Sequence, residues 1–175
     1  MDWYSRVFEL IDMRSFSNLW YWVMLAVVWS AVSHRVMGVP WDMVHRARRR
    51  GGQAAADLEA LAHIHARRIL YIVDLAGVWL VALAMAGLTM LLMLGWVYRV
   101  EFAQAAFLLL FPLTLVGLLS LETAQAVVAG GLSGDGLRRR LTLHRLATQA
   151  IGIASVFATA LWGMYQNLVH SVLPG

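Results

Sequence analysis

The chain has no cysteine, no lysine and only three prolines in 175 residues. The absence of cysteine excludes disulfides, thiolate metal sites and any iron–sulfur cluster held through cysteine. With no lysine, all fourteen basic residues are arginine, a usage that points to a GC-rich coding sequence and a bacterial inner membrane. The opening residues also lack a basic start followed by an apolar run, so no cleaved signal peptide is expected. Instead Asp2, Arg6, Glu9 and Asp12 alternate with Trp3, Tyr4, Val7, Phe8 and Ile11 at helical spacing. That pattern predicts an amphipathic amino-terminal helix, lying on the outer membrane surface or packed on the rim of the protein's own bundle.

What the chain has is apolar length. Hydrophobic residues make up 61% of it, which leaves almost nothing for a separate soluble domain once the apolar stretches are placed. Four stretches, residues 19–36, 69–98, 102–121 and about 146–168, are each near or above the roughly 20 residues that a helix needs to cross a bilayer. The expectation is therefore a single all-α domain, 1–175: an integral membrane four-helix bundle carrying the amphipathic amino-terminal helix and a cytoplasmic helical hairpin over 40–68.

Charge fixes the expected sidedness. Eleven of the fourteen arginines lie in the first and third connections: Arg35, Arg46, Arg48, Arg49, Arg50, Arg67, Arg68, Arg138, Arg139, Arg140 and Arg145. By the positive-inside rule these connections face the cytoplasm and both termini face outward. The aromatic residues give the same orientation. Trp20, Tyr21 and Trp22, then Trp96 and Tyr98, then Trp162 and Tyr165 all fall at the outer interface, whereas Trp41 and Tyr71 lie on the other side. The net charge of +4 flanks apolar spans, so it reads as contact with anionic lipid headgroups through Arg46, Arg48, Arg49, Arg50, Arg138, Arg139 and Arg140 rather than with nucleic acid.

The connections carry local signals. Pro40 should open a short basic helix, Trp41–Arg50, and Gly51-Gly52 should break it. From Gln53 onward no breaker precedes the second span, and a continuous helix would project about 24 Å beyond the membrane. Such a hairpin offers a docking surface. Residues 130–136 form a glycine-rich loop leading into the third arginine cluster. The two halves share an outline of helix, basic connection and helix, which any membrane hairpin with its loop inside would share.

Among single residues Asp74 is the sharpest. It lies six positions past Arg68, roughly 9 Å into the apolar zone, where a carboxylate needs protein, water or a partner around it. It is either an ion or proton site or the counter-charge of a cation such as Arg35 or Arg145. Glu122 falls at a similar depth and is expected to share a cytoplasm-facing pocket or ion-pair network with it. His34, His65 and His144 come within a few residues of helix ends at one level, which allows a metal or haem site, but solvated interfacial histidines are the expectation and no cofactor or metal is assigned. His63 and His65 point in different directions on a helix. In the fourth span Ala150, Ala154 and Ala158 recur every four residues, as do Ser155, Thr159 and Gly163, giving two faces for close helix packing. Ala82 and Ala86 do likewise in the second, and Pro112 and Gly117 are expected to bend the third.

The opening Met1-Asp2-Trp3-Tyr4 with residues 8–16, the run 68–74 and the closing run 160–167 resemble a family of small alphaproteobacterial inner-membrane proteins named as a component of the SufBCD complex. The resemblance covers nearly the whole chain and implies no catalytic residues. The name implies iron–sulfur assembly, yet the chain has no cysteine and no phosphate-binding loop of the glycine-lysine-serine/threonine type. The expectation for function is thus a non-catalytic accessory, assembly or scaffold subunit of a larger inner-membrane complex, or a homo-oligomer. A small channel or transporter using Asp74 and Glu122, with Pro112 as hinge, is the alternative, and an enzyme ranks behind both. From the arginine imbalance, reporter fusions at Gly52 and Gly134 are expected to register as cytoplasmic and fusions after Gly175 as external. A cytoplasmic signal at Gly175 would overturn the span count.

Overall fold

The computed structural model describes residues 15–172; the amphipathic stretch expected at the amino terminus lies, up to Arg14, outside the described residues. The fold is all-α apart from one minimal hairpin. A single 3₁₀ turn, Ser15–Ser17, leads into α1 (Leu19–His34), followed by strands β1 (Arg35–Val36) and β2 (Val39–Pro40). Then come α2 (Trp41–Arg50), α3 (Gly52–Leu92, prolonged by a π turn over Met93–Val97), α4 (Glu101–Ala129) and α5 (Gly134–Val172).

Local chemistry accounts for the boundaries. Asn18 caps α1, its side-chain oxygen accepting the Trp20 amide at 2.9 Å. Pro40 immediately precedes α2, and Gly51, with φ of 59°, ends α2 and starts α3. The first apolar stretch does not stay helical to residue 36. It ends at His34 because residues 35–40 fold back as a two-residue hairpin, Arg35 opposite Pro40 and Val36 opposite Val39. Its central residues Met37 and Gly38 both have positive φ, 52° and 84°, as the tight turn of such a hairpin demands. Gly38 is closely covered: a Cβ there would sit 2.8 Å from Nδ1 of His65. As a result α1 has sixteen residues, about 24 Å of rise, and among the described residues three helices rather than four are long and apolar enough to cross a membrane: α3, α4 and α5.

The largest buried cluster sits at the arginine-rich end, not within the apolar stretches. Leu58, Ala62 and Ala66 of α3 pack with Ala124 and Val127 of α4 and with Leu137 and Leu141 of α5, and Val36, Val39, Val44 and Ala47 close the cluster. The segment 40–68 therefore does not project alone, as the sequence led us to expect. Helix α4 runs on to Ala129 and α5 begins at Gly134, so both extend beside it. Glu59 accepts the Gly134 amide at 2.6 Å and His63 donates to the Leu132 carbonyl at 3.1 Å, which ties the α4–α5 loop to α3.

Two smaller clusters continue toward the opposite end. Leu25 and Trp29 of α1 meet Leu109 and Val116 of α4, and beyond them Phe16 and Tyr21 meet Ala105. Helix α1 thus packs along the part of the α4–α5 pair remote from the arginine clusters. Helix α3 is the outlier: none of its most apolar eighteen-residue window is buried, against 33% in α4 and 28% in α5.

Pro112 lies within α4, which continues through it without interruption. Having no N–H, proline leaves the carbonyl four residues earlier without its helical donor. That carbonyl belongs to Leu108, and Ser155 Oγ of α5 donates to it at 3.3 Å. Ser155→Ala should therefore cost about 0.6–1.7 kcal/mol, the range for hydrogen bonds between membrane helices, in a detergent unfolding titration. In a Pro112→Ala background, where residue 112 regains its donor, that cost should shrink toward zero. An undiminished cost in the double variant would show that Ser155 acts through packing alone.

Candidate functional site

Helix α3 beyond Leu70 is largely uncovered, and Asp74 lies on that stretch. Between Arg68 and Arg99 Asp74 is the sole charged residue. The inner side of the helix is set by small and branched residues that touch the bundle, with Ala62 and Ala66 fully buried and Ile69 and Leu70 packed against the same cluster. Asp74 continues the four-residue row of Leu58, Ala62, Ala66 and Leu70, but beyond Leu70 α3 is no longer covered by the bundle. Tyr71, Asp74, Val78, Val81, Met85, Leu88 and Leu92 repeat at alternating steps of three and four, the period of a coiled-coil seam. Along it Tyr71 is 67% exposed and Val78 83%, and Asp74 is exposed with them in a shallow cleft formed by Leu70, Tyr71 and Val73.

Asp74 makes no ion pair or hydrogen bond among the described residues. The expected pairing with Arg35 or Arg145 is not formed. Arg35 is exposed in β1, and the Arg145 guanidinium lies 4.3 Å from the centre of the Trp41 ring, a cation–π contact. Nor do Asp74 and Glu122 share a pocket: Glu122 is drawn to Arg140 of α5 at 2.9 Å, and the cleft at Asp74 does not include it. The physical reason is that α3 leaves the cover of the bundle beyond Leu70, so no cation of a neighbouring helix reaches the carboxylate.

The arginines divide into paired and unpaired. Arg46 pairs with Asp42 one turn away at 2.7 Å, and Arg138 with Asp135; such exposed pairs contribute little to stability. Arg48, Arg49, Arg50 and Arg139 are exposed and form no ion pair among the described residues. They remain available to anions.

The histidines do not converge. His144 is buried and hydrogen-bonded to Thr123 at 2.9 Å, His34 contacts the Ser30 carbonyl at 2.8 Å, and His45 accepts the Trp41 indole N–H at 2.7 Å. Among the described residues no three His, Asp or Glu side chains gather as a metal site would require.

The small residues of α5 separate into two faces. Ser155, Thr159 and Gly163 are buried, with Gly163 against Phe16 and Trp22, and Gly152 joins them against Trp29. Ala150, Ala154 and Ala158 are exposed, the last two lining an apolar groove with Leu108, Phe111 and Leu115. Sequence reading did not single out Gly152 or Gln104. Gln104 is 3% exposed and is held by three hydrogen bonds at the end remote from the arginine clusters; a carboxamide that follows Glu101 in an otherwise apolar helix start was the available signal.

Compared with protein-family models, with curated proteins and with solved structures, the chain finds no match in any of the three. The two faces of α5 lend themselves to a direct contrast. Gly152→Leu and Gly163→Leu should displace Trp29 and Phe16 and lower monomer stability by about 1–3 kcal/mol or more. Ala154→Leu and Ala158→Leu should stay within about 0.5 kcal/mol. Thermal unfolding of each variant in detergent separates the two classes.

Proposed function

We propose that this chain is a multi-pass bacterial inner-membrane protein, with both termini outside, that serves as a non-catalytic accessory or scaffold subunit of a larger membrane assembly. The unpaired carboxylate of Asp74 on the unburied face of α3 carries this reading. A charged side chain within a span costs about 3 kcal/mol by insertion scales, and its own bundle does nothing to offset that. A neighbouring subunit whose helix brings a donor to the Tyr71–Asp74 level supplies the missing partner. The seam of α3 gives such a helix a surface of the right period, and the Ala154/Ala158 groove of α5 provides a second.

The four-crossing bundle has support from the course of α1. Though short of a full span by itself, it runs from the cluster at Phe16 and Tyr21 to the one at Val36, beside two helices long enough to cross. The unpaired arginines then lie together at the cytoplasmic side, where anionic headgroups contribute about 1 kcal/mol per arginine. The channel reading has less support, since Asp74 and Glu122 do not line one path. The resemblance to proteins named for the SufBCD complex fits an accessory membrane protein, but a chain without cysteine brings no thiolate to a cluster, and we do not assign it that chemistry.

Crosslinking and native electrophoresis of membranes extracted in mild detergent test the proposal. The wild type should migrate in an assembly, and Asp74→Asn should weaken that assembly while the chain still inserts. A wild type that remains a lone monomer after crosslinking would overturn it. Selective ion conductance of reconstituted wild type, lost in Asp74→Asn, would replace it with the channel.

A further inference from the structure

Three unusual features converge at the end of the molecule remote from the arginine clusters. Helix α3 ends in a π turn, Met93–Val97, a departure from the regular ladder that recurs at functional sites. Two residues on, Arg99 has φ of 58°, a left-handed conformation that a non-glycine residue adopts at a cost and that the surrounding structure must hold in place. Close by, Gln104 is buried with both carboxamide heteroatoms bonded: Nε2 donates to the Gly95 carbonyl of the π turn at 2.7 Å, and Oε1 accepts from Trp162 Nε1 at 2.9 Å and from Gln166. All of this borders one cavity of about 350 Å³, within the size range of small-ligand sites.

The lining of that cavity is specific in charge. Arg99 and Glu101 both face it, and they do not pair with each other. Glu101 uses Oε1 to accept the Phe16 amide at 2.7 Å. Arg99 has no partner among the described residues. The remaining wall is aromatic: the rings of Trp96 and Trp162 are 5.6 Å apart and those of Trp162 and Tyr165 5.5 Å, each pair tilted by 38°. Trp162 is fixed by its bond to Gln104, whereas Trp96 and Tyr165 stay 38% and 56% exposed. A guanidinium binds a phosphodiester, and aromatic faces beside a carboxylate bind an ammonium group. Two opposite charges, held apart in one aromatic-walled cavity, match a ligand that itself carries both.

We propose that this cavity binds the zwitterionic headgroup of a phospholipid, with the phosphodiester at Arg99 and the ammonium over the aromatic wall at Glu101. The proposal rests on the membrane placement argued above, which puts Trp96, Trp162 and Tyr165 at the outer interface where headgroups lie; it does not depend on the accessory role. The Arg99 turn and the π turn then serve to aim the guanidinium and shape the wall.

The test uses the full chain purified in mild detergent and titrated, with native mass spectrometry as readout, against three probes: dihexanoyl phosphatidylethanolamine, dihexanoyl phosphatidylglycerol and water-soluble glycerophosphoethanolamine. One molecule of the ethanolamine lipid should bind saturably and more tightly than either other probe. Arg99→Gly removes the guanidinium while relieving the left-handed backbone, and Glu101→Gln keeps an acceptor for the Phe16 amide while removing the charge. Each should weaken ethanolamine-lipid binding by about tenfold, a loss expected for one charged contact, with thermal stability retained. Equal binding of the glycerol lipid would overturn the ammonium subsite, equal binding of glycerophosphoethanolamine would overturn a lipid as the ligand, and unchanged affinity in both variants would overturn the site. Carbonate washing of membranes separates this from the premise: a chain that stays in washed membranes yet shows no headgroup preference refutes the site alone, and a chain released to the soluble fraction refutes the membrane placement.

Discussion

The packing of Leu58, Ala62 and Ala66 against Ala124, Val127, Leu137 and Leu141 is the constraint on which the rest of the molecule depends. Alanines one turn apart let α3 approach α4 closely, and the fully buried leucines fill the space beside them. Burial of a leucine contributes about 1.5–3 kcal/mol when water is the alternative, a driving force that exists at the aqueous end of a membrane protein and is lacking between helices in lipid. The strongest glue therefore sits outside the apolar stretches. Glu59 and His63 add polar ties from the same helix to the α4–α5 loop, so the arginine-rich end is held by both kinds of contact.

Fixing α3 at that end leaves its apolar length beyond Leu70 largely uncovered. Within the stretch where apolar burial gives nothing, the contacts that remain are those suited to lipid: small residues that admit a neighbour, as Gly152 admits Trp29, and hydrogen bonds that answer an orphan group, as Ser155 answers the Leu108 carbonyl. Helices α1, α4 and α5 share these devices. The described part of α3 has fewer of them, its link at the far end being the Gly95 carbonyl bound by Gln104. Asp74 stands midway, with neither device applied to it.

Much of this architecture was legible in the sequence, and the boundaries most of all. Pro40 before α2, the Gly51-Gly52 break and the uninterrupted helix beyond it follow from single-residue backbone chemistry. Orientation about the helix axis was not legible, because residues 69–98 are apolar on every side and give no amphipathic period from which an inner face can be chosen. That is why Asp74 was expected to find a cation inside the bundle. The hairpin at 35–40 was missed for a related reason: Arg35 and Val36 continue an apolar helix acceptably, and only the tertiary cover of Gly38 by His65 selects the turn. Trp96, Trp162 and Tyr165 were grouped from the sequence by type and position near span ends, but their common cavity depends on Gln104, whose three bonds no spacing rule reveals.

The two ends of the molecule differ in the electrostatics they present, and this difference follows from how each end closes. At the arginine-rich end the connections are long enough for a core to form beneath them, so Arg48, Arg49, Arg50 and Arg139 are left on the surface as unpaired charge. Such a band attracts anions at range without selecting among them. At the other end α3 and α4 are joined by only three residues, 98–100. A junction that tight cannot close with regular geometry, and the π turn and left-handed Arg99 absorb the misfit. Arg99 and Glu101 both line the cavity there without pairing with one another. Close range and fixed geometry replace bulk charge there, so the headgroup discrimination we propose belongs to the tight junction and long-range attraction to the loose one.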